Sequence, residues 1–196
     1  MMKYLKLLRV EQWVKNLFVF APLFFSGKIT QYDLLLESIF AFIIFSLIAS
    51  SVYIINDYSD IESDKKHPEK QNRPLASGAI SKSSALIILA VLLLLCGGGI
   101  LFGQHYFHQN LWKFAVIIGF YFCMNLAYTF KLKHVAIIDV TIISIGFVLR
   151  VLAGGYATGI YISQWAILLT FVLALVLAIG KRRGELINAQ ISGRTR

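Results

Sequence analysis

Asn56-Asp57-Tyr58-Ser59-Asp60-Ile61-Glu62-Ser63-Asp64-Lys65-Lys66-His67-Pro68-Glu69-Lys70-Gln71-Asn72-Arg73-Pro74-Leu75-Ala76-Ser77-Gly78 is the long polar stretch of an otherwise apolar chain. It holds five of the ten acidic residues and follows an apolar run at 38–55 that is long enough, with its flanks, to cross a bilayer. If that helix continues two turns past Ile55, Asp57, Asp60 and Asp64 stand at i, i+3 and i+7 on one face, with neighbouring Cβ atoms roughly 5–6 Å apart. Three such carboxylates repel, and the negative C-terminal end of the helix dipole adds to the crowding. A hard cation relieves both. Mg²⁺ takes one or two carboxylates and completes its shell with water and phosphate oxygens. The alternative is a solvated acidic loop paired with its own lysines.

Outward from this stretch, composition excludes a soluble protein. Of 196 residues 58% are hydrophobic and 15% charged, and the mean hydropathy is +0.71. Six runs are long enough to span, at 10–26, 34–55, 84–102, 111–130, 135–156 and 160–179. Only helices and closed barrels satisfy their backbone in hydrocarbon, and runs this continuous exclude a barrel. The expected class is an all-α polytopic helix bundle, one domain over 1–196 with a cytoplasmic loop at 57–83.

The net charge of +9 does not indicate a nucleic-acid partner. Six crossings from an inside N-terminus place Lys3, Lys6, Arg9, Lys15, Lys65, Lys66, Lys70, Arg73, Lys82, Lys131, Lys133, Lys181, Arg182, Arg183, Arg194 and Arg196 on the cytoplasmic side. Lys28 and Lys113 fall outside and Arg150 within the membrane, a strong positive-inside pattern. Cys96 and Cys123 lie in separate apolar runs and are expected to act as small hydrophobes, with no disulfide or metal role. No signal-peptide pattern opens the chain, so the first run is expected to remain as an anchor.

In that first run Glu11 and Lys15, like Gln12 and Asn16, are four apart, so an α-helix carries them as one polar stripe. It either rests at the headgroups with Trp13 as anchor or turns Lys15 and Asn16 into the bundle. Arg73-Pro74 marks an extended or turn dipeptide, and Ser81 or Ser83 suits an N-cap. Gly97-Gly98-Gly99 implies close helix contact or fraying. His105 and His108 are expected to be surface residues. Residues 128–134 form a tight basic loop containing Tyr128, Lys131 and Lys133. Asp139 and Arg150, eleven residues apart, share a helix face at a separation of about 16 Å. Arg150 faces the interior or snorkels outward. Gly146, Gly154 and Gly155 allow close helix packing. Residues 180–186 are either a stop-transfer flank or a second phosphate-binding element.

Asn56-Asp57-x-x-Asp60-x-x-x-Asp64 resembles the first signature of the UbiA-type prenyltransferase superfamily, and Arg73-Pro74-Leu75-Ala76-Ser77-Gly78 continues the match. Further motifs are similar to the decaprenyl-phosphate phosphoribosyltransferase branch. They are Leu8-Arg9-x-x-Gln12-Trp13-x-Lys15-Asn16 with Phe20-Ala21-Pro22, His67-Pro68, and Leu132-Lys133-His134 before Asp139. Gly146-Phe147-x-Leu149-Arg150 and Gly180-Lys181-Arg182-Arg183-x-Glu185 complete the set.

The resemblance implies transfer of 5-phosphoribose from 5-phosphoribosyl 1-diphosphate to a polyprenyl phosphate, releasing diphosphate. It implies Mg²⁺, with Mn²⁺ as the alternative, on Asp57, Asp60 and Asp64. Lys70, Arg73, Lys131 and Lys133 are then expected to hold the donor's phosphates, and Lys15 to steer the lipid phosphate. Asn16, Asn56, Tyr128, Asp139, Arg150, Lys181, Arg182 and Glu185 extend the expected substrate-binding set. The implied setting is a bacterial inner membrane, with the N-terminus and active-site loops cytoplasmic. Members have nine membrane helices, so six runs are expected of a fragment, a truncated reading frame or a stable shortened form. Two other readings stay open: an aromatic prenyltransferase of the same superfamily, and an inactive membrane scaffold or remnant.

Overall fold

The computed structural model describes residues 2–107, 110–132 and 136–191, with their side chains except at 131–132, 136, 185–186 and 188–191. Every element among the described residues is helical. A short α1 (Met2–Leu8) leads through Arg9 into a 3-10 helix, Val10–Phe20, and then α2 (Ala21–Phe25). The long α3 (Tyr32–Ser59) is followed by the short α4 (Ile61–Lys66) and a 3-10 turn at Lys70–Asn72. Next come α5 (Lys82–Tyr106) and α6 (Trp112–Ala127), which runs on into a π-helical turn at Tyr128–Leu132. The chain continues through α7 (Ala136–Thr158) and α8 (Gln164–Ile191). Five of these helices, α3 and α5 to α8, are long and apolar enough to cross a membrane, and the chain is an integral multi-pass membrane protein.

The axis of the bundle is α3 with α7. Of their apolar windows 61% and 56% are buried, against 17%, 22% and 11% for α5, α6 and α8, which leave most of their apolar surface outward. The buried side of α3 carries Ser38, Ala41, Ser46, Ala49 and Ser50. Small residues at such a seam let neighbouring backbones approach closely. Phe45, Phe114, Ile118, Tyr121 and Leu149 fill the space between α3, α6 and α7. Of the Gly97-Gly98-Gly99 triplet only Gly99 meets a neighbour, since a Cβ there would stand 2.6 Å from Ile44 Cδ1 on α3.

The first apolar run differs from the expected α-helical span. It is a broken segment, eleven residues of 3-10 helix followed by α2. A 3-10 helix has three residues per turn and is uncommon beyond three or four residues. Its period explains what is buried: Asn16, Val19 and Pro22 lie on one line, continued by the half-buried Trp13. Glu11 and Lys15 therefore share no buried stripe. Phe20 contacts Phe42, Asn16 donates to Ser46 Oγ and Trp13 donates to Ser50 Oγ, so the segment runs antiparallel to α3 along much of its length. Rises of about 2.0 Å and 1.5 Å per residue give the 3-10 part about 22 Å and α2 about 7 Å. That approaches the roughly 30 Å of a hydrocarbon core.

What admits this segment between α3 and α7 is Gly154. A Cβ there would stand 1.9 Å from the Val19 carbonyl oxygen, so any side chain displaces the 3-10 backbone. Gly119 faces open space. Gly154→Ala is expected to cost about 1–3 kcal/mol, as overpacking does. Thermal melting in detergent should show a lower Tm for Gly154→Ala, while Gly119→Ala melts no lower than the parent. Equal Tm for the two variants would contradict this packing.

Candidate active site

The acidic motif is not one straight helix. α3 ends at Ser59, Asp60 takes φ −98° and ψ 8°, and α4 resumes at Ile61. Hydrogen bonds from the Asp60 N–H to the Asn56 carbonyl (3.0 Å) and from the Asp64 N–H to the Asp60 carbonyl (2.8 Å) carry the helical path across this break. Asp57 and Asp64 consequently turn to the same side, each only 2% exposed. Arg73 Nη1 bridges them, donating to Asp64 Oδ2 at 2.7 Å and Asp57 Oδ1 at 3.2 Å. Arg9 Nη2 donates to the same Asp57 Oδ1 at 2.5 Å. Asn56 and Asp60 are half-buried beside them. Burial with arginine partners sets these two carboxylates apart from a solvated acidic loop. The solvated pair of this stretch is Glu62 with Lys65, where the lysine hydrogen bond holds the exposed Glu62 carboxyl below its usual range.

Local sequence explains both arginines. Arg73 precedes Pro74 and is extended (φ −64°, ψ 143°), as the proline ring requires. Pro74, Leu75 and Ala76 are buried behind it, and the Pro74 carbonyl accepts the Ile80 N–H at 3.0 Å, so the loop is anchored while Arg73 reaches back to α3. Arg9 has φ 49° and ψ 48°, a left-handed conformation that costs a non-glycine residue about 1–3 kcal/mol. Its ion pair and its stacking over the Tyr53 ring, 4.8 Å away, offset that strain.

Deeper in the bundle the Arg150 guanidinium is 6% exposed and points inward. Nε donates to Asn16 Oδ1 at 2.8 Å, Nη1 to the Gly146 carbonyl at 2.7 Å, and Nη2 to the Tyr121 hydroxyl at 3.4 Å. The rings of Phe45, Tyr121 and Phe147 surround it with centroids 5.0, 5.3 and 5.4 Å away. Asn16, 1% exposed, passes the connection to Ser46 on α3. The first segment is thus interior at Asn16 rather than laid along the headgroups.

A second charged pole lies where α6, α7 and α8 meet. Asp139 is 3% exposed; Oδ1 accepts from the Tyr128 hydroxyl at 2.5 Å, and Oδ2 accepts from Arg182 Nε at 2.7 Å and from Arg182 Nη2. The turn that carries Tyr128 packs against α3. Lys15 is exposed and feels the positive charges of Lys181, Arg150 and Arg9. Lys70 and Lys181 are exposed. Lys133 lies outside the described residues, and the side chains of Lys131 and Glu185 lie outside those described.

The arrangement is therefore two carboxylate poles, each held by arginine, with further cations around them. Among the described residues no three acidic, His or Cys side chains form a ready metal-ligand group. Asp57 and Asp64 nevertheless converge on one nitrogen, and two carboxylates suffice for Mg²⁺. The donor set fits a hard divalent cation.

Fold and site together define a polytopic membrane helix bundle with two arginine-held carboxylate poles. Residues 17–182 match the UbiA prenyltransferase family, and the chain belongs to it. Within the family it is 38% identical over 193 residues to the decaprenyl-phosphate phosphoribosyltransferase of Mycolicibacterium smegmatis, covering 96% of this chain and 58% of that one. It is also 38% identical over 192 residues to the enzyme of the same name from Mycobacterium tuberculosis, covering 96% of this chain and 61% of that one. The chain thus spans about three fifths of the length of these relatives. A UbiA homolog from Archaeoglobus fulgidus, solved bound to GPP and Mg²⁺, shares the fold at a TM-score of 0.73 and 20% identity, covering 97% of this chain and 66% of that one.

Sequence reasoning missed Arg9 as a partner of Asp57, although Arg9 stands inside a quoted motif. It also missed Tyr121 and Ser46, whose signal was only a polar atom within an apolar run. The Arg150 network yields a direct expectation. Arg150→Leu orphans the buried Asn16 oxygen, a loss worth about 1–3 kcal/mol, and should lower both Tm and folded yield. Arg150→Lys should rescue poorly, because an ammonium cannot reproduce the planar fork. Wild-type melting of the lysine variant would sink this assignment.

Proposed function

We propose that the chain carries the donor and acceptor sites of a phosphoribosyl transfer from 5-phosphoribosyl 1-diphosphate to a polyprenyl phosphate, with diphosphate as the leaving group. The observation that carries this reading is that residues drawn from distant motifs converge: Asp57, Asp64, Arg73 and Arg9 at one pole, Tyr128, Asp139 and Arg182 at the other. The similarity to two decaprenyl-phosphate phosphoribosyltransferases over 96% of the chain supports the substrate class.

In this reading Asp57 and Asp64, with Asp60 beside them, would hold Mg²⁺ or Mn²⁺. When bound, the ion neutralises charge on the departing diphosphate. Around it Arg73 and Lys70 grip donor phosphates, Arg as a planar fork and Lys as a point charge. These fixed cations stabilise the negative charge that develops as the anomeric C–O bond breaks. The acceptor phosphate already carries a nucleophilic oxygen, so no side chain has to remove a proton. Lys15 and Lys181 guide that phosphate, with Arg150 and Asn16 fixing the wall behind it. Asp139 fixes Arg182 and Tyr128 in position at the second pole. The lipid tail lies along the outward apolar helices.

A second reading, prenyl transfer to an aromatic acceptor, draws on the GPP-bound relative of the same fold. Exchange of the donor decides between the two. In proteoliposomes supplied with 5-phosphoribosyl 1-diphosphate and decaprenyl phosphate, lipid-linked phosphoribose should form. Asp57→Asn and Asp60→Asn should each cut its rate on the order of 10²-fold, the effect of losing several kcal/mol of charge stabilisation. The exposed Glu62→Gln should change the rate little. Equal tolerance of all three substitutions, or product only from a prenyl diphosphate donor, would overturn the assignment.

The same reading sets the protein in a bacterial inner membrane with the N-terminus, the 57–83 loop and the site on the cytoplasmic side. Single cysteines at Ser63 and Gln104, both exposed, should label from opposite faces once Cys96 and Cys123 are replaced. Labelling of both from one face would refute this topology.

A further inference from the structure

We infer that Arg73 is a placeholder cation: its guanidinium sits where Asp57 and Asp64 would bind a divalent ion, and it exchanges onto the donor's diphosphate when ion and diphosphate arrive together. This rests on the metal and donor assigned above and adds the coupling between them.

Charge balance is the first reason. Asp57 and Asp64 carry two negative charges, and Arg9 and Arg73 supply two positive ones through contacts of 2.5 to 3.2 Å. A divalent ion added to that balanced quartet leaves two uncompensated positive charges beside nearly buried carboxylates. The half-buried Asp60 beside them can offset one of the two, which still leaves the pole positive. An ion that arrives with a diphosphate brings its own negative charge, and Arg73 can then leave the carboxylates for phosphate oxygens.

Geometry singles out Arg73 rather than Arg9 as the group that moves. One nitrogen, Nη1, makes both of its carboxylate contacts, while Nε and Nη2 make no hydrogen bond among the described residues. Those donors remain for an incoming anion, to which a guanidinium binds best as a two-pronged fork. The Arg73 side chain is 25% exposed and lies over no aromatic ring among the described residues. Its backbone is held separately, the carbonyl accepting from Ser77 Oγ at 2.9 Å and from the Ser77 N–H at 2.9 Å. The side chain can therefore swing while the loop stays in place. Arg9, stacked on Tyr53 at a left-handed turn, is fixed by its surroundings.

Exchange of this kind makes the affinities for metal and diphosphate reciprocal: each ligand raises the other's by the same factor. The test is equilibrium dialysis of the full chain in lipid nanodiscs against radiolabelled Mn²⁺ at buffered free concentrations, with and without inorganic diphosphate. Wild-type protein should retain Mn²⁺ at least about fivefold more tightly with diphosphate than without, the lower end of ordinary coupling. Arg73→Gln should bind Mn²⁺ alone more tightly than wild type and lose most of the enhancement. If Arg73→Gln retains Mn²⁺ no better than wild type, the placeholder role is overturned. An Mn²⁺ site that Asp57→Asn abolishes would then still leave the proposed function standing. Where Arg73→Gln does not fold, equal Mn²⁺ affinity of the wild type with and without diphosphate overturns the inference by itself. Absence of any Asp57-dependent Mn²⁺ retention overturns both the inference and the metal site of the proposed function.

Discussion

A full positive charge buried between α3 and α7 is the constraint on which the structure turns. A guanidinium within an apolar bundle has no water to fall back on, so its N–H groups must find acceptors in the protein. Arg150 finds them in Asn16, the Gly146 carbonyl and the Tyr121 hydroxyl, inside a ring of three aromatic faces. Asn16 is the member that matters for the fold, because it belongs to the first segment and donates onward to Ser46 of α3. One polar chain thereby pins the broken first segment to both axial helices. Gly154 supplies the room that this approach needs.

The two carboxylate poles follow the same rule at the mouth of the bundle. Asp57 and Asp64 are balanced by Arg9 and Arg73, and Asp139 by Arg182 with a hydroxyl from Tyr128. Buried ion pairs of this kind are weak evidence for stability, since desolvation can exceed the Coulombic gain. Their value is positional. They hold Arg9, Arg73 and Arg182 against the carboxylates of α3, α4 and α7. The left-handed backbone at Arg9 is set against its ion pair with Asp57 and its stacking on Tyr53.

Much of the fold was legible beforehand. The runs at 34–55, 84–102, 111–130, 135–156 and 160–179 each became a long helix, and the phase relation of Asp139 and Arg150 placed both inside the bundle. The first run was misjudged as a regular α-helix. Its pairs four apart, Glu11 with Lys15 and Gln12 with Asn16, pointed to a period that the tertiary groove replaced with three. The acidic motif was half legible. Spacing brought Asp57 and Asp64 to one side, but the break at Asp60 and the arginine between the carboxylates were not visible in it.

The difference has a physical origin. Lipid leaves backbone groups no partner except each other, so a long apolar run becomes a helix, and sequence alone determined the class and the five long helices α3 and α5 to α8. Charge identity and spacing also marked Asp57, Asp64, Asp139 and Arg150 as groups that need polar partners once buried, because carboxylates and guanidinium groups are costly to bury unpaired. Tertiary structure decided the rest: that Arg9 meets Asp57 across 48 positions, that Arg150 meets Asn16 across 134, and that a 3-10 helix lies between α3 and α7. Those outcomes depend on groove width and on acceptors supplied by other helices, and neither quantity is written in the local period of any one segment.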